Sequence, residues 1–435
     1  MKKNKFLMSA LICVAIVLSG CASNSAQSES QKDTPAAPAK TEPAVQSNRP
    51  FGIEESEYAN LMKLSLYSKG NNYRIKKVLE KLRAGEKVYI AALGGSVTEG
   101  AGPSDYRDGY AFQFNKKLKA KYTPDNGANV YFNGAGLSGT PSTLGLVRYQ
   151  SDVVDVLGGI PDILIVEFAV NDDGGDQTAR AFEALIRNAL EANPETVVIA
   201  LYSAAQYGNT AAVKRPIAEW YKVPQVNVLD VVKYSVVRKF FTEQLYYTDN
   251  VHPTKKGHEI QADALLNVFE VADADPADEE FPVPETWCKS KPLTNFTRID
   301  VDDNKDPNVK ITKGSFNGTD NTTQGLKKTG KGDFPKNWYH DSGSDSFKMD
   351  ITCKALIFTY KNQGSWLPKK FGKAEVYVDG KLKTTYDGGA AGGWCNCLPV
   401  YIIDNEVAAK HSVEIKMKEG DEDKGFTILA MGYSY

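Results

Sequence analysis

Short apolar segments alternate with helical segments between residues 87 and 272, and this alternation constrains the fold more than any other feature of the sequence. Such a pattern is typical of a parallel sheet with helices on both faces and right-handed crossovers. We therefore predict an α/β domain with a parallel sheet and helices on both of its faces. The predicted strands are 88–94, 129–132, 162–170, 196–202 and 223–229, and the predicted helices are 58–82 with a break at 69–72, 109–122, 142–157, 178–192, 211–221 and one that begins after Thr254.

The first strand of this sheet ends in Gly94-Gly95-Ser96. Open α/β folds place their chemistry at the carboxyl edge of the sheet, and a glycine turn at that edge can present a hydroxyl group. We interpret Ser96 as a nucleophile. The alternative is an ordinary strand-to-helix turn in which Ser96 is the N-cap of a helix.

Three further loops carry polar or glycine-rich sequences. Gly139 lies in a glycine-rich turn after the second strand, and Asn171 directly follows the third strand. Asp249 and His252 precede the last helix, where Pro253 favours an extended conformation of His252 and keeps its ring in a loop. The sequence therefore brings a serine, a histidine and an aspartate into loops of one domain.

These residue types are the ones that acyl transfer requires. A serine hydroxyl needs an adjacent base, and that base needs a third group that fixes its tautomer. We predict Ser96 as nucleophile, His252 as base and Asp249 as its orienting carboxylate. The developing oxyanion needs fixed donors, and the candidates are the N–H groups of Ser96 and Gly139 and the side-chain amide of Asn171.

The four segments resemble the sequence blocks of the SGNH (GDSL-type) hydrolase superfamily, over about residues 85–272. The blocks are Gly94–Gly100, Leu137–Thr140, Val170–Asp172 and Asp249–Pro253. The resemblance implies a flavodoxin-like three-layer α/β/α fold, the same triad, and Gly139 and Asn171 in the oxyanion hole. One position departs from the family pattern, since Gly95 stands where the family usually has an aspartate.

Other polar residues of this region have simpler interpretations. We expect Glu167 to be a buried hydrogen-bonding group and His258, inside the last helix, to be a packing or surface residue. Asp172 and Asp173 are interpreted as loop carboxylates.

The N-terminal 50 residues have the composition of an export signal and a tether. Lys2, Lys3 and Lys5 precede the apolar run 6–18, as in a signal peptide of residues 1–20. Leu18-Ser19-Gly20-Cys21 resembles the lipobox of bacterial lipoproteins, which implies lipidation at Cys21 and attachment to a membrane. Residues 21–50 contain almost no large apolar side chain and are predicted to be a flexible tether.

The C-terminal third has a different pattern. An acidic, proline-containing linker at 273–284 separates the catalytic domain, 51–272, from residues 285–435. Short alternating strands at 355–360, 374–378, 382–386, 412–417 and 426–432 predict an antiparallel β-sandwich, with Asp379-Gly380 as a hairpin turn. This region is similar to the jelly-roll domains that accompany carbohydrate-active enzymes, a resemblance of architecture without a motif.

Trp338, Trp366 and Trp394 lie in or beside loops rich in Gly, Asn and Asp, where their rings are candidates for stacking on sugars. Packing in the core or between the domains is the alternative. We also expect the unusual segment 388–397 to reach the catalytic crevice.

Charge and cysteine content restrict the function further. The formal net charge is −2 and no basic stripe is present, which disfavours nucleic acid as a partner. Once Cys13 and Cys21 are assigned to the signal and the lipid site, Cys288, Cys353, Cys395 and Cys397 remain, and three disulfide pairings stay open beside free thiols. We predict no metal and no cofactor.

The sequence thus predicts an exported carbohydrate esterase that removes short acyl groups, most simply acetyl, from polysaccharide. Two alternatives remain at this point. One is a lipase or thioesterase of the same superfamily, and the other is a glycan-binding lipoprotein without catalytic activity.

Overall fold

The computed structural model describes residues 47–299, 301, 306–328, 330 and 333–435. The predicted signal peptide, Cys21 and most of the predicted tether lie outside the described residues. Within the described parts, no helix has the length and apolar character needed to cross a membrane. Ser47–Tyr435 form one compact unit.

The first part of this unit alternates helices and strands. The order is α1 (Glu55–Ser65), β1 (Leu66–Ser68), α2 (Tyr73–Arg83), β2 (Val88–Gly94), α3 (Ser96–Glu99), α4 (Tyr110–Tyr122), β3 (Val130–Gly136), α5 (Ser142–Arg148), α6 (Asp155–Leu157), β4 (Ile163–Glu167), α7 (Asp176–Ala192), β5 (Val197–Tyr202), α8 (Ala211–Trp220), β6 (Gln225–Asn227), α9 (Val228–Val237), α10 (Glu243–Tyr246) and α11 (Lys255–Ala274).

Among the described residues, six strands form one sheet in the order β1-β6-β5-β4-β2-β3. All neighbours are parallel except β1, which pairs with β6 in the antiparallel direction. Successive residues of β2 enter opposite cores: Ile90 packs with the layer that contains α4 and α11, and Ala91 with the layer that contains α7 and α8. Burial on both faces explains the continuous apolar strands. The predicted three-layer α/β fold is confirmed.

The structure differs from the prediction in three segments of this domain. The segment predicted as one broken helix at 58–82 is two helices with strand β1 between them, and β1 covers the edge of β6. The predicted helix 142–157 contains a π-helical turn at Tyr149–Val154. The predicted strand 223–229 ends early, because the chain turns into α9 at Val228. In each case tertiary contacts determine a boundary that the apolar pattern leaves open.

The C-terminal part is all-antiparallel. Its strands are β7 (Thr297–Ile299), β8 (Val309–Thr312), β9 (Trp338–His340), β10 (Phe347–Asn362), β11 (Lys373–Val378), β12 (Lys381–Asp387), β13 (Asn396–Met417) and β14 (Phe426–Ser434).

The two longest strands, β10 and β13, hold this β-domain together. The first half of β10 pairs with β8 and with the second half of β13, and the second half of β10 pairs with β14 and with the first half of β13. The register shifts between Cys353 and Ala355, at the junction of the two halves. Both halves contribute to one core, to which Met349 and Phe358 belong. A predicted hairpin turn lies between β11 and β12, where Asp379 and Gly380 both have positive φ.

The second half of β10 is buried on both faces because the β-domain packs against the catalytic domain. Leu144 and Val147 of α5 form a common cluster with Ile357 of β10 and Leu429 of β14. The first half of β10 instead alternates between buried and exposed residues. One sheet face therefore serves as a contact between the two domains.

The segment predicted as a linker lies along the catalytic domain. The Asn72 side chain accepts a hydrogen bond from the Asp278 N–H and donates to the Pro276 carbonyl, and Arg74 donates to the Phe281 carbonyl. Further on, the Cys288 and Lys289 N–H groups donate to the Glu183 carboxylate. These contacts anchor the chain between the last helix of one domain and the first strand of the other.

Candidate active site

The carboxyl ends of β2, β3 and β4 are neighbours in the sheet, so the loops that follow them share one edge. Ser96 follows β2, Gly139 follows β3 and Asn171 follows β4. The loop before α11 brings Asp249 and His252 to the same place. All five residues line one cleft with a volume of about 550 Å³.

Ser96, His252 and Asp249 form a continuous chain of hydrogen bonds. His252 Nε2 lies 2.8 Å from Ser96 Oγ, and His252 Nδ1 lies 2.6 Å from Asp249 Oδ2. Ser96 is the first residue of α3, and Gly95 occupies the N-cap position. The hydroxyl group of Ser96 is therefore hydrogen-bonded to the imidazole, as nucleophilic catalysis requires. Ser96 is not the N-cap of α3, because Gly95 occupies that position.

The carboxylate of Asp249 is held by its own loop. Asp249 Oδ1 accepts hydrogen bonds from the backbone N–H groups of Val251 at 2.7 Å and His252 at 2.8 Å. Partial burial pushes the pKa of Asp249 upward, but the hydrogen bonds from the His252 ring and from these two N–H groups outweigh it and leave the pKa below its usual value. Asp249 is thus charged at neutral pH and fixes the proton of the imidazole on Nδ1.

Two glycines make the turn before Ser96 possible. A Cβ atom at Gly94 would lie 2.0 Å from Thr98 Oγ1, and a Cβ atom at Gly95 would lie 2.0 Å from Asn171 Oδ1. Asn171 Oδ1 thus occupies the space that an aspartate side chain at position 95 would need. Because the oxygen faces Gly95, the amide nitrogen of Asn171 is the end available to the cleft.

We expect Gly95→Ala to lower kcat about 100-fold with little change in KM, because the new methyl group displaces the Asn171 amide from the oxyanion position. Steady-state hydrolysis of an acetyl ester measures both constants. In an Asn171→Ala background the clash is absent, so Gly95→Ala should cost little more there. Additive losses in the double variant would contradict this explanation.

Gly139 has a backbone conformation that favours glycine, with φ at +69°. The ring of Trp394 lies directly over it, and a Cβ atom at this position would be 2.8 Å from Trp394 Cζ2. The β-domain therefore forms one wall of the cleft. Trp394 belongs to the segment 388–397, which the structure places at the catalytic crevice.

The three candidate sugar-binding tryptophans differ in exposure and in their position relative to the cleft. Trp394 lines the cleft, whereas Trp366 is 67% exposed and is not among the residues that line it. Trp338 is only 1% exposed, because it begins β9 and packs edge-on against Phe347 in the core of the β-domain. Its predicted role in sugar binding is corrected, since no ligand reaches a ring in that position.

Tyr207 and Lys327 line the cleft but are absent from the sequence prediction. Tyr207 lies in the loop after β5, at the same sheet edge as Ser96, and its hydroxyl donates to the Val170 carbonyl at 3.2 Å. The strand-end rule that identified Asn171 also identifies this loop. Lys327 comes from the β-domain, and no local pattern connects it with the catalytic sequence blocks.

Glu167 and His258 are buried, and neither lines the cleft. Glu167 accepts a hydrogen bond from Thr98 Oγ1 at 3.1 Å, and burial raises its pKa to about 7. His258 Nδ1 accepts from the Tyr110 N–H, and His258 Nε2 donates to the Ala101 carbonyl at 3.0 Å. Ala101 lines the cleft, so the buried His258 ring supports the loop that follows Ser96.

We expect His258 to make stability depend on pH. Burial lowers its pKa from 6.5 to about 4, so between these values the unfolded chain binds a proton that the folded chain does not. The shift at His258 therefore lowers the free energy of unfolding by about 3 kcal/mol as the pH drops from 7 to 4, in addition to the effects of other groups. Urea unfolding of wild type and His258→Gln at both pH values measures this loss. An equally steep pH dependence in the variant would contradict it.

Within the parts of the chain that the structure describes, no three His, Cys, Asp or Glu side chains are grouped as ligands for an ion. Cys288, Cys353, Cys395 and Cys397 are free thiols.

Comparison with known proteins agrees with this geometry. Residues 92–260 match the GDSL-like lipase/acylhydrolase family. No curated protein matches the chain. A two-domain esterase active on acetylated mannans superimposes with a TM-score of 0.72 at 23% sequence identity, over 86% of this chain and 98% of that one. The same esterase co-crystallized with mannopentaose gives the same TM-score over 97% of its chain.

The two-domain architecture is therefore shared with a solved esterase. Because the sequence identity is low, this similarity establishes the fold alone. The family match covers the loops of Ser96, Gly139, Asn171 and His252. It confirms the SGNH resemblance found in the four sequence blocks. Residues 92–260 accordingly belong to the GDSL-like lipase/acylhydrolase family, and the protein is a serine ester hydrolase.

Proposed function

We propose that this protein removes acetyl groups from polysaccharide through an acetyl-enzyme intermediate at Ser96. The observation that carries the proposal is the hydrogen-bonded chain Ser96–His252–Asp249. It lies in a cleft that Trp394 of the β-domain also lines. The triad supplies the chemistry. The aromatic wall supplies a surface on which a sugar ring can stack.

The proposed mechanism begins when Ser96 Oγ attacks the acetyl carbonyl carbon while His252 Nε2 takes the hydroxyl proton. The carbonyl oxygen becomes negative and accepts hydrogen bonds from the Asn171 amide and from the Ser96 and Gly139 N–H groups. The bond to the sugar oxygen then breaks, and His252 returns the proton to that oxygen. A water molecule, deprotonated by His252, then attacks the acetyl carbonyl carbon, the bond to Ser96 Oγ breaks, and His252 returns the proton to Oγ as acetate leaves.

The lining of the cleft favours a short acyl group on a polar substrate. Around Ser96 the lining residues include Ser138, Thr248, Asp249 and Lys327, and the aromatic side chains are those of Tyr207 and Trp394. A long fatty chain would need a continuous apolar surface to compensate for its dehydration. The lipase and thioesterase alternatives are therefore less well supported.

Acetate release from acetylated mannan, xylan, pectin and peptidoglycan tests the substrate class. The structural neighbour acts on acetylated mannans, so we expect mannan to be among the substrates. Parallel assays with acetyl and long-chain p-nitrophenyl esters separate the alternatives. Faster hydrolysis of the long-chain ester, without acetate release from any polysaccharide, would overturn the proposal in favour of a lipase or thioesterase.

Labelling with a fluorophosphonate tests the remaining alternative, a glycan-binding lipoprotein without catalytic activity. We expect covalent modification of Ser96, because its hydroxyl is bonded to the His252 imidazole. An unlabelled protein that still binds polysaccharide would support the binding alternative.

The proposal also includes export and attachment to a bacterial membrane through a lipid on Cys21. Its support is the basic start of the chain, the apolar run 6–18 and the lipobox-like Leu18-Ser19-Gly20-Cys21. Cells that express the protein with radiolabelled palmitate should label wild type but not Cys21→Ser. Equal labelling of both proteins would contradict lipidation at Cys21.

A further inference from the structure

We propose that Gln324 of the β-domain is a positioning residue for the oxyanion hole, because its side chain fixes the peptide group that carries the Gly139 N–H. This inference rests on the esterase function proposed above. It assigns the β-domain a part in the rate of the chemical step, in addition to any part in substrate binding.

The first observation is the contact between Gln324 and Ser138. Gln324 is 4% exposed, and its Nε2 donates a hydrogen bond to the Ser138 carbonyl oxygen at 2.8 Å. Its Oε1 faces Cys397 Sγ at 3.6 Å, which orients the amide from the other side. A buried amide with partners at both ends has one preferred orientation.

The second step follows from the geometry of the peptide bond. The carbonyl group of Ser138 and the N–H group of Gly139 belong to one planar unit, and in a trans peptide they point in opposite directions. A hydrogen bond that holds the Ser138 oxygen toward Gln324 therefore directs the Gly139 N–H away from Gln324. Gly139 lines the catalytic cleft, where a donor for the oxyanion is needed.

A third contact holds the other side of Ser138. Its hydroxyl donates to the carboxylate of Glu99, which is buried at the end of α3. The second oxygen of that carboxylate accepts from the Lys327 N–H at 2.8 Å. Glu99 thus ties the helix that begins with Ser96 both to the glycine loop and to the β-domain.

The position and conformation of Gly139 make this support important. Gly139 lies beyond the end of β3 and has positive φ, a conformation from which glycine rotates easily. An oxyanion donor is effective only when its direction is set before the reaction. The structure assigns that task to Gln324 and Glu99, with the Trp394 ring packed over Gly139.

The test compares Gln324→Met with wild type in the full-length protein. Methionine has a similar length and no donor, so we expect kcat for p-nitrophenyl acetate to fall at least tenfold. KM should stay within twofold, and a boronic acid that forms a tetrahedral adduct should bind more weakly by a similar factor. Gln177→Met is the matched control, because Gln177 also donates across the domain contact, to Asp404 at 3.3 Å, without touching the glycine loop.

A kcat within twofold of the control would overturn the inference, as would a loss confined to KM. Should Gln324→Met fail to fold, Gln324→Asn keeps the amide but is one carbon too short to reach Ser138, and the same tenfold loss is expected. Glu99→Gln should reduce kcat in the same direction. A wild-type protein without any esterase activity would contradict the proposed function instead.

Discussion

We expect Ser96→Ala to lower kcat for acetyl ester hydrolysis by a factor of about 10⁴ to 10⁶, the range seen when the nucleophile of a catalytic triad is removed. The oxygen that attacks the ester is lost, and the imidazole of His252 keeps its bond to Asp249 without a partner at Nε2. The residual rate comes from the remaining oxyanion donors and from substrate binding. Acetate release and p-nitrophenyl acetate hydrolysis at pH 7.5 measure the effect.

A control must show that the loss of kcat in Ser96→Ala comes from the chemical step and not from a less stable fold. Ser96 contacts His252 at the edge of the sheet, so its replacement should change the free energy of unfolding by less than about 1 kcal/mol. Ser412→Ala, on β13 of the other domain, is the control for the same chemical change. Wild-type rates in Ser96→Ala, or covalent labelling of that variant by a fluorophosphonate, would exclude the proposed nucleophile.

The candidate catalytic residues could be named from the sequence because acyl-transfer chemistry restricts both residue type and position. Ser96 and Asn171 each follow an apolar strand, and the carboxyl ends of neighbouring parallel strands meet at one edge. Asp249 and His252 are three residues apart, so their contact is local and visible in the sequence. The structure brings all four together with Gly139 around one cleft.

The segment 388–397 was expected to reach the crevice, and Trp394 of that segment does line it, but the other contacts of the β-domain with the site could not be predicted in the same way. Gln324 contacts Ser138 across a separation of 186 residues, and neither residue carries a pattern that indicates the other. Trp394 was a candidate for sugar binding because of its glycine-rich loop, and Trp338 was a candidate for the same reason. Only the tertiary structure separates an aromatic ring at a cleft from one in a core.

The two longest strands, β10 and β13, were predicted only in part from the sequence. The first half of β10 has one exposed face, but the sequence prediction began at Ala355, within the half that is buried on both faces. The first half of β13, from Asn396, was not predicted at all, because it mixes half-buried residues with a proline. In β10 the continuous apolar run of the buried half was therefore the detected signal, whereas Lys348 and Asp350 interrupt the apolar residues of the alternating half.

Lys214→Met should reduce the free energy of unfolding by about 3 to 5 kcal/mol at pH 7. Lys214 Nζ lies 2.6 Å from Asp172 Oδ2, and both side chains are almost completely buried. Asp172 Oδ1 also accepts the Ser142 N–H at the start of α5, so the carboxylate joins α8 to α5 directly beside Asn171. Without Lys214, the buried carboxylate loses its charged partner and keeps neutral donors from Ser142.

The free energy of unfolding, measured as a function of pH and in two further variants, tests whether the loss in Lys214→Met comes from the buried charge of Asp172. Burial raises the pKa of Asp172 and Lys214 lowers it, so removing Lys214 raises it further. A carboxyl whose folded pKa lies above its unfolded value favours the folded state in acid, and the deficit of Lys214→Met should therefore shrink as the pH falls from 7 toward 4. Adding Asp172→Asn should restore most of the lost stability at pH 7. Lys121→Met, which breaks the exposed pair with Glu270, should cost less than about 1 kcal/mol. A similar small loss for Lys214→Met would show that the buried pair does not hold the loop of Asn171 in place.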